Sequence, residues 1–253
     1  VTITADDSLA QLVVDNPVAT GPATLSISLD DDDVARQLFD FQYSRTALVY
    51  HDDDSEWLDA AWMARCFSFN LDQKKGIWAY KNIIGVPSVD LSSAQASALR
   101  SKNVNYFSPI VPSSGVVTQA YTAQGWLPYG SAGAGRRIDV QTSLDWLQAR
   151  SEEALLDVLL KETHGVPYSN AGINRFVSAI RGVFSTGLAA GHLQAFVVPD
   201  GQDFAGQQTP LIVAPLLSAT SSTERANRVL TFSAFVYLRS AIESVTFSLE
   251  VRQ

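Results

Sequence analysis

The sequence is poor in the side chains that most often build reactive or metal centres. Its 253 residues include one cysteine, Cys66, and three scattered histidines, His51, His164 and His192. A single cysteine excludes an internal disulfide and a cysteine-based zinc site. Because Cys66 lies in the apolar helical pattern AAWMARCFSF, we predict a buried small hydrophobic residue rather than a nucleophile.

Charge is also scarce, and the balance is acidic. Charged residues make up 17% of the sequence and the net charge is −8. A nucleic-acid partner is not expected, because binding it requires a basic face that neutralises phosphates. Hydrophobic residues make up 46%, which excludes disorder for the chain as a whole. The low charge suits a subunit that buries surface against its neighbours.

Long hydrophobic runs are missing. The longest strongly apolar run, LIVAPLL at 211–217, is too short to cross a bilayer, so we expect no membrane anchor. No basic segment followed by an apolar stretch opens the chain, so no signal peptide is predicted. Because the chain begins at Val1 rather than at methionine, we expect a fragment or a processed chain.

What is present is an alternation of strand and helix patterns between residues 25 and 111. The sequence predicts strands over 45–51, 76–81 and 104–111 and helices over 52–67 and 90–103, the second capped by Ser92 or Ser93. This rhythm indicates an α/β layer with a substantially parallel sheet. In the helix over 52–67, one apolar face is predicted, formed by Trp57, Ala60, Ala61 and Ala64.

The pattern changes after a Ser/Gly/Tyr-rich section, 112–137, which we interpret as a long loop or irregular hairpin and as the boundary between two lobes. A helix over 143–165 follows, ending at Gly165, with an apolar stripe of Leu144, Leu147, Leu155, Val158 and Leu159. The next helix, 166–191, carries the stripe Ile173, Phe176, Val177, Ile180 and Phe184, and two strands end the chain. We therefore expect a mixed α/β sandwich lobe, 1–125, and an α+β lobe, 126–253, with two helices and C-terminal antiparallel strands.

One acidic cluster has metal-binding chemistry. His51 to Asp54 follow a predicted strand, where α/β proteins place metals, and carboxylates and imidazole are suitable ligands. The same residues suit the start of the next helix, where aspartates cap free N–H groups. A metal-dependent α/β enzyme that uses His51–Asp54 thus stays open as an alternative. Asp30–Asp33 shows the same ambiguity and lacks the glycine and distal glutamate of a calcium loop.

Other candidate motifs have simpler interpretations. Gly130–Gly135 with Arg136 and Arg137 could cradle an anion, but it fits no phosphate-loop fingerprint, and a mobile connector is the alternative. His164 and His192 end helical patterns, where histidine favours the negative dipole end. The chain has no G-x-S-x-G nucleophile motif. We expect no catalytic residue, no metal and no cofactor, and hence no enzyme.

The order of the motifs carries more information than any one of them. RTALVYHDDDSEWLDAAW, KGIWAYKNIIGVPSVDLSSAQASALRSKNVNYF, RRIDVQTSLDWLQAR and GVPYSNAGINRFVSAIRGVF followed by GHL resemble the tail sheath proteins of contractile-tailed bacteriophages. The resemblance runs from about residue 25 to the C-terminus, in matching order and spacing. Within this family, the sequence is similar to a branch of sheath-like phage proteins long classed as being of unknown function.

The resemblance implies a structural subunit that polymerises around the tail tube and contracts to drive genome ejection. Its implied partners are further copies of itself in six-fold stacked rings, the tail tube protein, and the baseplate and tail terminator proteins. Its implied location is the tail of the virion, after assembly in the bacterial host cytoplasm. Terminal arms of such subunits add strands to neighbouring sheets, and the second lobe would lie nearer the tube.

Two groups of residues are candidates for contacts with a neighbouring subunit or the tube. Glu152, Glu153, Asp157 and Glu162 mark an acidic helix surface, for which a solvated face is the alternative. Val245, Phe247, Leu249 and Val251 form the apolar face of the last predicted strand. An exposed edge strand is a liability in a monomer and useful in a polymer.

Overall fold

Helices and small sheets alternate along the chain, which confirms the predicted mixed α/β fold class. The computed structural model describes residues 2–6, 9–13, 34–53, 55–109, 120–122, 125–129 and 135–240. The chain forms two compact units, Val1–Arg65 with Trp78–Ile138, and Cys66–Ile77 with Asp139–Gln253. A short segment in the middle of the first unit's sequence therefore belongs to the second unit. The functional lobes 1–125 and 126–253 stay a prediction.

The first unit is built around short strands and three helices. Its elements are β1 (Thr2–Asp6), β2 (Leu9–Val13), α1 (Val34–Asp40), β3 (Val49–Tyr50), α2 (Leu58–Phe67, whose last two residues belong to the second unit), α3 (Ser93–Ser101), β4 (Asn105–Pro109), β5 (Ala120–Thr122), β6 (Trp126–Leu127) and β7 (Arg136–Arg137). β1 pairs with β2, and β6 with β7, in antiparallel fashion. Strands β5, β6 and β7 lie inside the section 112–137, and the antiparallel β6–β7 pair agrees with the hairpin interpretation of this section rather than with a loop alone.

The expected parallel sheet is reduced to one pair of strands. Strands β3, β4 and β5 form a three-stranded sheet in which β3 and β4 are parallel and β4 and β5 antiparallel. Among the described strands, every other pairing is antiparallel. The physical reason is the length of the connection: only residues 110–119 separate β4 from β5, whereas a parallel neighbour needs a crossover of about a dozen or more residues.

The segment 76–81 is predicted as a strand. It hydrogen-bonds to β5 but does not form a regular strand. Tyr80 N donates to Thr122 O and Thr122 N donates to Lys81 O, both at 2.8 Å. Tyr80 has φ of 54°, in the left-handed region, and this interrupts the extended run. The carbonyl of Trp78 accepts hydrogen bonds from side chains, Trp62 Nε1 at 3.0 Å and Thr122 Oγ1 at 3.2 Å.

Helix α2 buries a different face from the predicted one. Leu58, Trp62 and Cys66, spaced four residues apart, are buried. The predicted face is largely in solvent: Trp57 is 74% exposed, and Ala60 and Ala64 are exposed as well. Two apolar faces compete on this helix, and the Trp62 indole, edge-on to Trp78 at 5.2 Å, turns its own face inward. The prediction of a buried Cys66 is confirmed.

A buried amide joins three parts of the first unit. Asn105, at the start of β4, is 1% exposed. Its Nδ2 donates to Leu48 O at 2.9 Å and to Trp126 O at 2.8 Å, and its Oδ1 accepts from Trp126 N at 2.8 Å. One side chain thus joins backbone groups before β3 and in β6, and Leu48 O accepts a second hydrogen bond from Asn105 N at 2.9 Å.

The cap predicted for α3 is confirmed at Ser92. Its Oγ accepts from Gln95 N at 3.3 Å, and Gln95 Oε1 accepts from Ser92 N at 3.0 Å, which is a complete capping box. At the other end, Arg100 Nε donates to the Tyr106 hydroxyl at 2.8 Å. Local sequence therefore fixes where this helix begins, and a strand side chain fixes where it packs.

The second unit contains the two long helices. Its elements are α4 (Ile138–Lys161, whose first residue belongs to the first unit), α5 (Asn170–Ala190), β8 (Leu193–Gln194), β9 (Phe196–Val197), β10 (Gln208–Thr209), β11 (Leu211–Val213), a 3₁₀ turn (Leu217–Ala219), α6 (Ser222–Asn227), β12 (Ser233–Phe235) and β13 (Tyr237–Leu238). The pairs β9–β10, β11–β12 and β8–β13 are antiparallel. The last predicted strand, 243–253, lies outside the described residues.

Helix α4 differs from its prediction at both ends and in its packed face. It starts earlier and stops at Lys161, so Gly165 closes a separate turn through its N–H to Glu162 O. Of the predicted stripe, Leu147 and Leu155 pack against the core of the unit, whereas Leu144 and Leu159 are exposed. Gln141, Ser143 and Trp146 are buried instead. The N-terminal half of α4 is buried through polar and aromatic residues, because that half packs against polar partners described below.

Helix α5 is the element that the sequence predicts best. Four residues of its predicted stripe, Ile173, Val177, Ile180 and Phe184, are buried, and Phe176 is half-buried. Ser169 Oγ caps the start through Gly172 N, and Gly191, with φ of 82°, ends the helix. Ile180 and Phe184 pack with Leu193 in the core of the unit.

Two glycines of α5 provide a matched test of this packing. A Cβ on Gly172 would lie 2.0 Å from Pro167 O, whereas a Cβ on Gly182 would meet no atom within 4 Å. We expect Gly172→Ala to lower the free energy of unfolding by about 2–4 kcal/mol. Gly182→Ala should raise it by about 0.5–1 kcal/mol, because alanine loses less backbone entropy in a helix. Urea unfolding measures both, and equal effects would contradict the packing described.

Candidate functional site

The predicted acidic surface of α4 is largely neutralised within the helix and its surroundings. Arg150 Nη1 donates to Glu153 Oε2, and Lys161 Nζ to Asp157 Oδ2, each at 2.6 Å. Glu162 is paired with Arg175, and Glu152 accepts from Gln148 Nε2 at 2.9 Å. The same stretch exposes leucines, with Leu156 at 54% and Leu160 at 73%. The surface is thus amphipathic rather than simply acidic, and its role as a contact surface stays a prediction.

The other predicted contact residues cannot be placed. Val245, Phe247, Leu249 and Val251 lie outside the described residues. The chain reaches them from β13, whose Leu238 pairs with Leu193.

The candidate metal cluster after β3 is organised as a turn. His51 Nε2 donates to Pro87 O at 3.0 Å, and His51 Nδ1 accepts from Asp53 N at 3.0 Å. The bond to Pro87 O is the largest cause that raises the pKa of His51. Asp53 Oδ1 accepts from Ser55 N at 2.9 Å and from Ser55 Oγ at 2.6 Å. These bonds lower the pKa of Asp53, which therefore keeps its negative charge.

The interpretation of this cluster as the cap of the next helix is not borne out by its described residues. Helix α2 begins at Leu58, so Asp53 caps a turn ahead of the helix and not the helix itself. In the part of the chain that the structure describes, no group of three or more His, Cys, Asp and Glu side chains is placed to hold a metal ion. Asp54 and the run Asp30–Asp33 lie outside that part.

The candidate anion loop leads into a strand with stacked arginines. Arg136 lies over the Tyr129 ring at 4.5 Å and Arg137 over the Trp126 ring at 4.8 Å. Both guanidinium groups thus contribute cation–π contacts within the β6–β7 pair. Gly130–Ala134 lie outside the described residues, so the anion-cradle prediction stays untested.

A buried cluster of hydrogen-bonded polar groups surrounds His192 in the second unit. The imidazole is fully buried and stacks on the Trp146 ring, with centroids 4.5 Å apart and planes 9° apart. Its Nε2 lies 2.8 Å from Leu71 O, and its Nδ1 lies 2.9 Å from Ser143 Oγ. The prediction that His192 interacts with a helix dipole is therefore wrong, because the ring is buried and bonded across the unit.

The hydrogen positions in this cluster follow from its acceptors. The Leu71 carbonyl can only accept, so Nε2 carries a hydrogen. Ser143 Oγ also donates to Asp139 O at 2.8 Å in this arrangement. When the ring is neutral, Nδ1 accepts and the hydroxyl must turn toward it; when the ring is protonated, Nδ1 donates and the hydroxyl keeps its bond to Asp139. One hydroxyl rotation therefore serves both protonation states.

Burial decides which protonation state the folded chain prefers. Desolvation lowers the pKa of His192, and the charge of Lys75 acts in the same direction. The bond to Leu71 O and the negative charge of Asp72 oppose these effects and do not overcome them. The ring is neutral near pH 7, and its hydrogen bonds hold Leu71 against Ser143 of α4.

Asp72 and Lys75 tie the same segment to the long helices. Asp72 Oδ1 accepts from Trp146 Nε1 at 2.7 Å and from Arg150 Nε at 2.9 Å, and Arg150 Nη2 reaches Asp72 Oδ2 at 2.7 Å. The Trp146 bond is the largest cause that lowers the pKa of Asp72. Lys75 Nζ lies 3.0 Å from Asp139 Oδ2, in a pair whose side chains are 9% and 6% exposed.

Backbone contacts complete this anchor. Lys75 N donates to Ala190 O at 2.8 Å, and Lys75 Nζ donates to Arg239 O at 2.5 Å. We call Leu71, Asp72 and Lys75, with the groups that they contact, the anchor cluster. Sequence reasoning missed it, because its members are far apart in the chain. The one available signal was the placement of His192 directly before the buried Leu193, in a stretch with few charged residues.

The anchor cluster predicts a particular pH dependence of stability. Because the pKa of His192 is lowered in the folded chain, unfolded chains bind a proton that folded chains do not as the pH falls below about 6.5. Stability from this residue is therefore present above about pH 6.5 and is lost as the pH falls toward the folded pKa. We expect His192→Gln to be most destabilising at pH 7.5 and progressively less so toward pH 5, measured by thermal unfolding.

A matched variant separates this effect from general acid sensitivity. His164 is exposed, and His164→Gln should change the unfolding midpoint little at any pH in this range. A destabilisation by His192→Gln that stays constant between pH 5 and 7.5 would contradict the assignment.

No helix in the described ranges is both long enough and apolar enough to span a membrane.

No protein-family model matches the chain, and no curated protein matches it. Among solved structures, it is similar to a chain in the cryo-EM structure of the anti-feeding prophage (AFP) baseplate, with a TM-score of 0.52 and 14% sequence identity. The match covers 78% of this chain and 49% of that chain, so this chain spans about half the length of its structural neighbour. Over most of its length, the chain thus shares the fold of a protein from that baseplate.

Proposed function

We propose that this chain is a structural subunit of a contractile phage tail sheath. The observation that carries the proposal is the fold shared with the anti-feeding prophage baseplate chain over 78% of the sequence. The ordered motifs that resemble sheath proteins support the finer assignment to a sheath. In this role the chain polymerises around a tail tube and contracts to drive genome ejection into the host.

The partners in this proposal are further copies of the chain in six-fold stacked rings, the tail tube protein, and the baseplate and tail terminator proteins. The subunit would assemble in the bacterial host cytoplasm and reside in the tail of the virion. Its work is mechanical rather than enzymatic. Several large apolar side chains support this proposal because they are exposed in the single chain, Trp57, Leu156 and Leu160 among them, and would be buried between subunits.

The alternative of a metal-dependent enzyme at His51–Asp54 has weaker support. His51 Nε2 already bonds to Pro87 O, and His51 Nδ1 and one Asp53 oxygen bond within the turn. Metal binding would have to break these contacts.

The sheath proposal predicts visible assemblies. We expect the protein, mixed with its tube protein, to form rings or tubes in negative-stain electron micrographs. A protein that stays monomeric at high concentration, with and without the tube protein, would contradict the proposal.

The proposed role of the C-terminal strand has its own test. Alternation places Phe247 on the apolar face and Ser248 on the opposite face of the strand pattern. If the apolar face docks on a neighbouring subunit, Phe247→Asp abolishes the assemblies, whereas Ser248→Asp leaves them intact. Equal effects of the two variants in the same electron micrographs would argue against strand addition by this segment.

A further inference from the structure

The second unit carries an apolar groove beside its two long helices. The groove has a volume of about 650 Å³. Leu155 and Leu159 of α4, Ile173 and Phe176 of α5, and Phe232 ahead of β12 line it. Such a volume accommodates a large side chain with part of its backbone, since binding clefts for small ligands begin at about 300 Å³.

Two arginine side chains are among the residues that line this groove. Arg225 and Arg228 line it together with His164, and its lining includes no carboxylate. Neither arginine forms an ion pair in the part of the chain that the structure describes. The nearby Glu224 is engaged elsewhere, since its Oε2 accepts from Ser221 N at 2.8 Å in the cap of α6. The groove is therefore an apolar site with a positive rim.

The first unit presents the complementary feature. Trp57 is 74% exposed at the start of α2. Four described carboxylates lie within five residues of it in sequence, Asp52, Asp53, Glu56 and Asp59. We call Trp57 and these four residues the acidic tryptophan knob. An indole in an acidic surround is what an apolar groove with an arginine rim would bind.

We propose that the acidic tryptophan knob of one copy docks into the arginine-rimmed groove of a second copy. The inference rests on the proposed function in one respect, because it names a contact by which such subunits join. The two surfaces lie on different units and differ from each other, so the contact is heterologous. Repetition of a heterologous contact yields a ring when the rotation closes and a filament when it does not.

The chemistry assigns separate roles to the parts of the contact. The Trp57 indole would lie between Leu159 and Phe176 and leave water, as tryptophan does at the centre of many interfaces. The carboxylates of the knob would meet Arg225 and Arg228 at the rim, where charge pairs speed association and fix orientation. Association should therefore weaken as salt concentration rises.

Two variants that each disable one surface test this contact. We expect Trp57→Ala to weaken self-association of the 253-residue chain by roughly thirty-fold or more, as for a central interface tryptophan. The double variant Arg225→Glu with Arg228→Glu should have a comparable effect, because it places like charges opposite the knob. Sedimentation velocity over a range of concentrations measures the association of each.

A mixture of the two variants gives the decisive result. One variant keeps an intact groove and the other an intact knob, so a mixture can form one productive contact and no more. We expect each variant alone to sediment as a monomer and the equimolar mixture to form a dimer that grows no further. A mixture that stays monomeric, or an unaltered chain that is monomeric at every concentration, would overturn the proposal.

Matched controls exclude general effects of the substitutions. Ile84, 92% exposed in the first unit, and Arg181, exposed on α5, lie outside the two surfaces. Ile84→Ala and Arg181→Glu should associate like the unaltered chain. Circular dichroism and thermal unfolding should show all variants folded, since Trp57 and both arginines are exposed in the single chain.

The outcome is separable from that of the sheath proposal. Sheath-like tubes that form from Trp57→Ala as readily as from the unaltered protein would overturn this contact and leave the sheath proposal standing. If the unaltered protein forms no tubes but the variant mixture still forms its dimer, the sheath proposal fails and the contact is supported.

Discussion

The second unit depends on holding a short segment that belongs to it in space but not in sequence. Fixing Leu71, Asp72 and Lys75 costs conformational entropy, and these residues lie outside any helix or strand that would offset that cost through its own ladder of hydrogen bonds. Buried polar contacts compensate for this cost. They are the hydrogen bond of His192 to Leu71 O, the Lys75–Asp139 ion pair, and the bonds of Lys75 N and Nζ to the backbone carbonyls of Ala190 and Arg239. The N-terminal half of α4 is polar inside because it must meet this segment.

The exposed surfaces follow a common pattern. Asp157 of α4 bonds to Lys161 one turn away, and Glu162, the residue after α4, pairs with Arg175 of α5. Leu156 and Leu160 of α4 stay exposed to solvent. Burying an ion pair that is already formed within one subunit leaves no unpaired charge in an interface, whereas burying an isolated carboxylate does. Such a helix can present leucines to a neighbour without an isolated carboxylate beside them. This arrangement is consistent with a subunit that buries surface in an assembly.

Where a single period or cap determines an element, the sequence was sufficient. The stripe of α5 and the Ser92 cap of α3 depend on neighbours within a few residues, and both were predicted. Helix α2 offered two apolar faces, and nothing local shows that Trp62, rather than Trp57, finds Trp78. His192 was assigned to the negative end of a helix dipole, because its partner Leu71 is 121 residues away and gives no local signal. Predictability thus ended where distant contacts choose between locally equivalent alternatives.

Asn105 has a consequence for the chemical ageing of the protein. Hydrolysis of its amide to a carboxylate would replace a two-hydrogen donor with a group that can only accept. That group would then face the carbonyl oxygens of Leu48 and Trp126, both of which also accept. A slow covalent change at one buried side chain would thereby set oxygen against oxygen where β4 meets β6 and the residue before β3, and would weaken the contacts that join these strands.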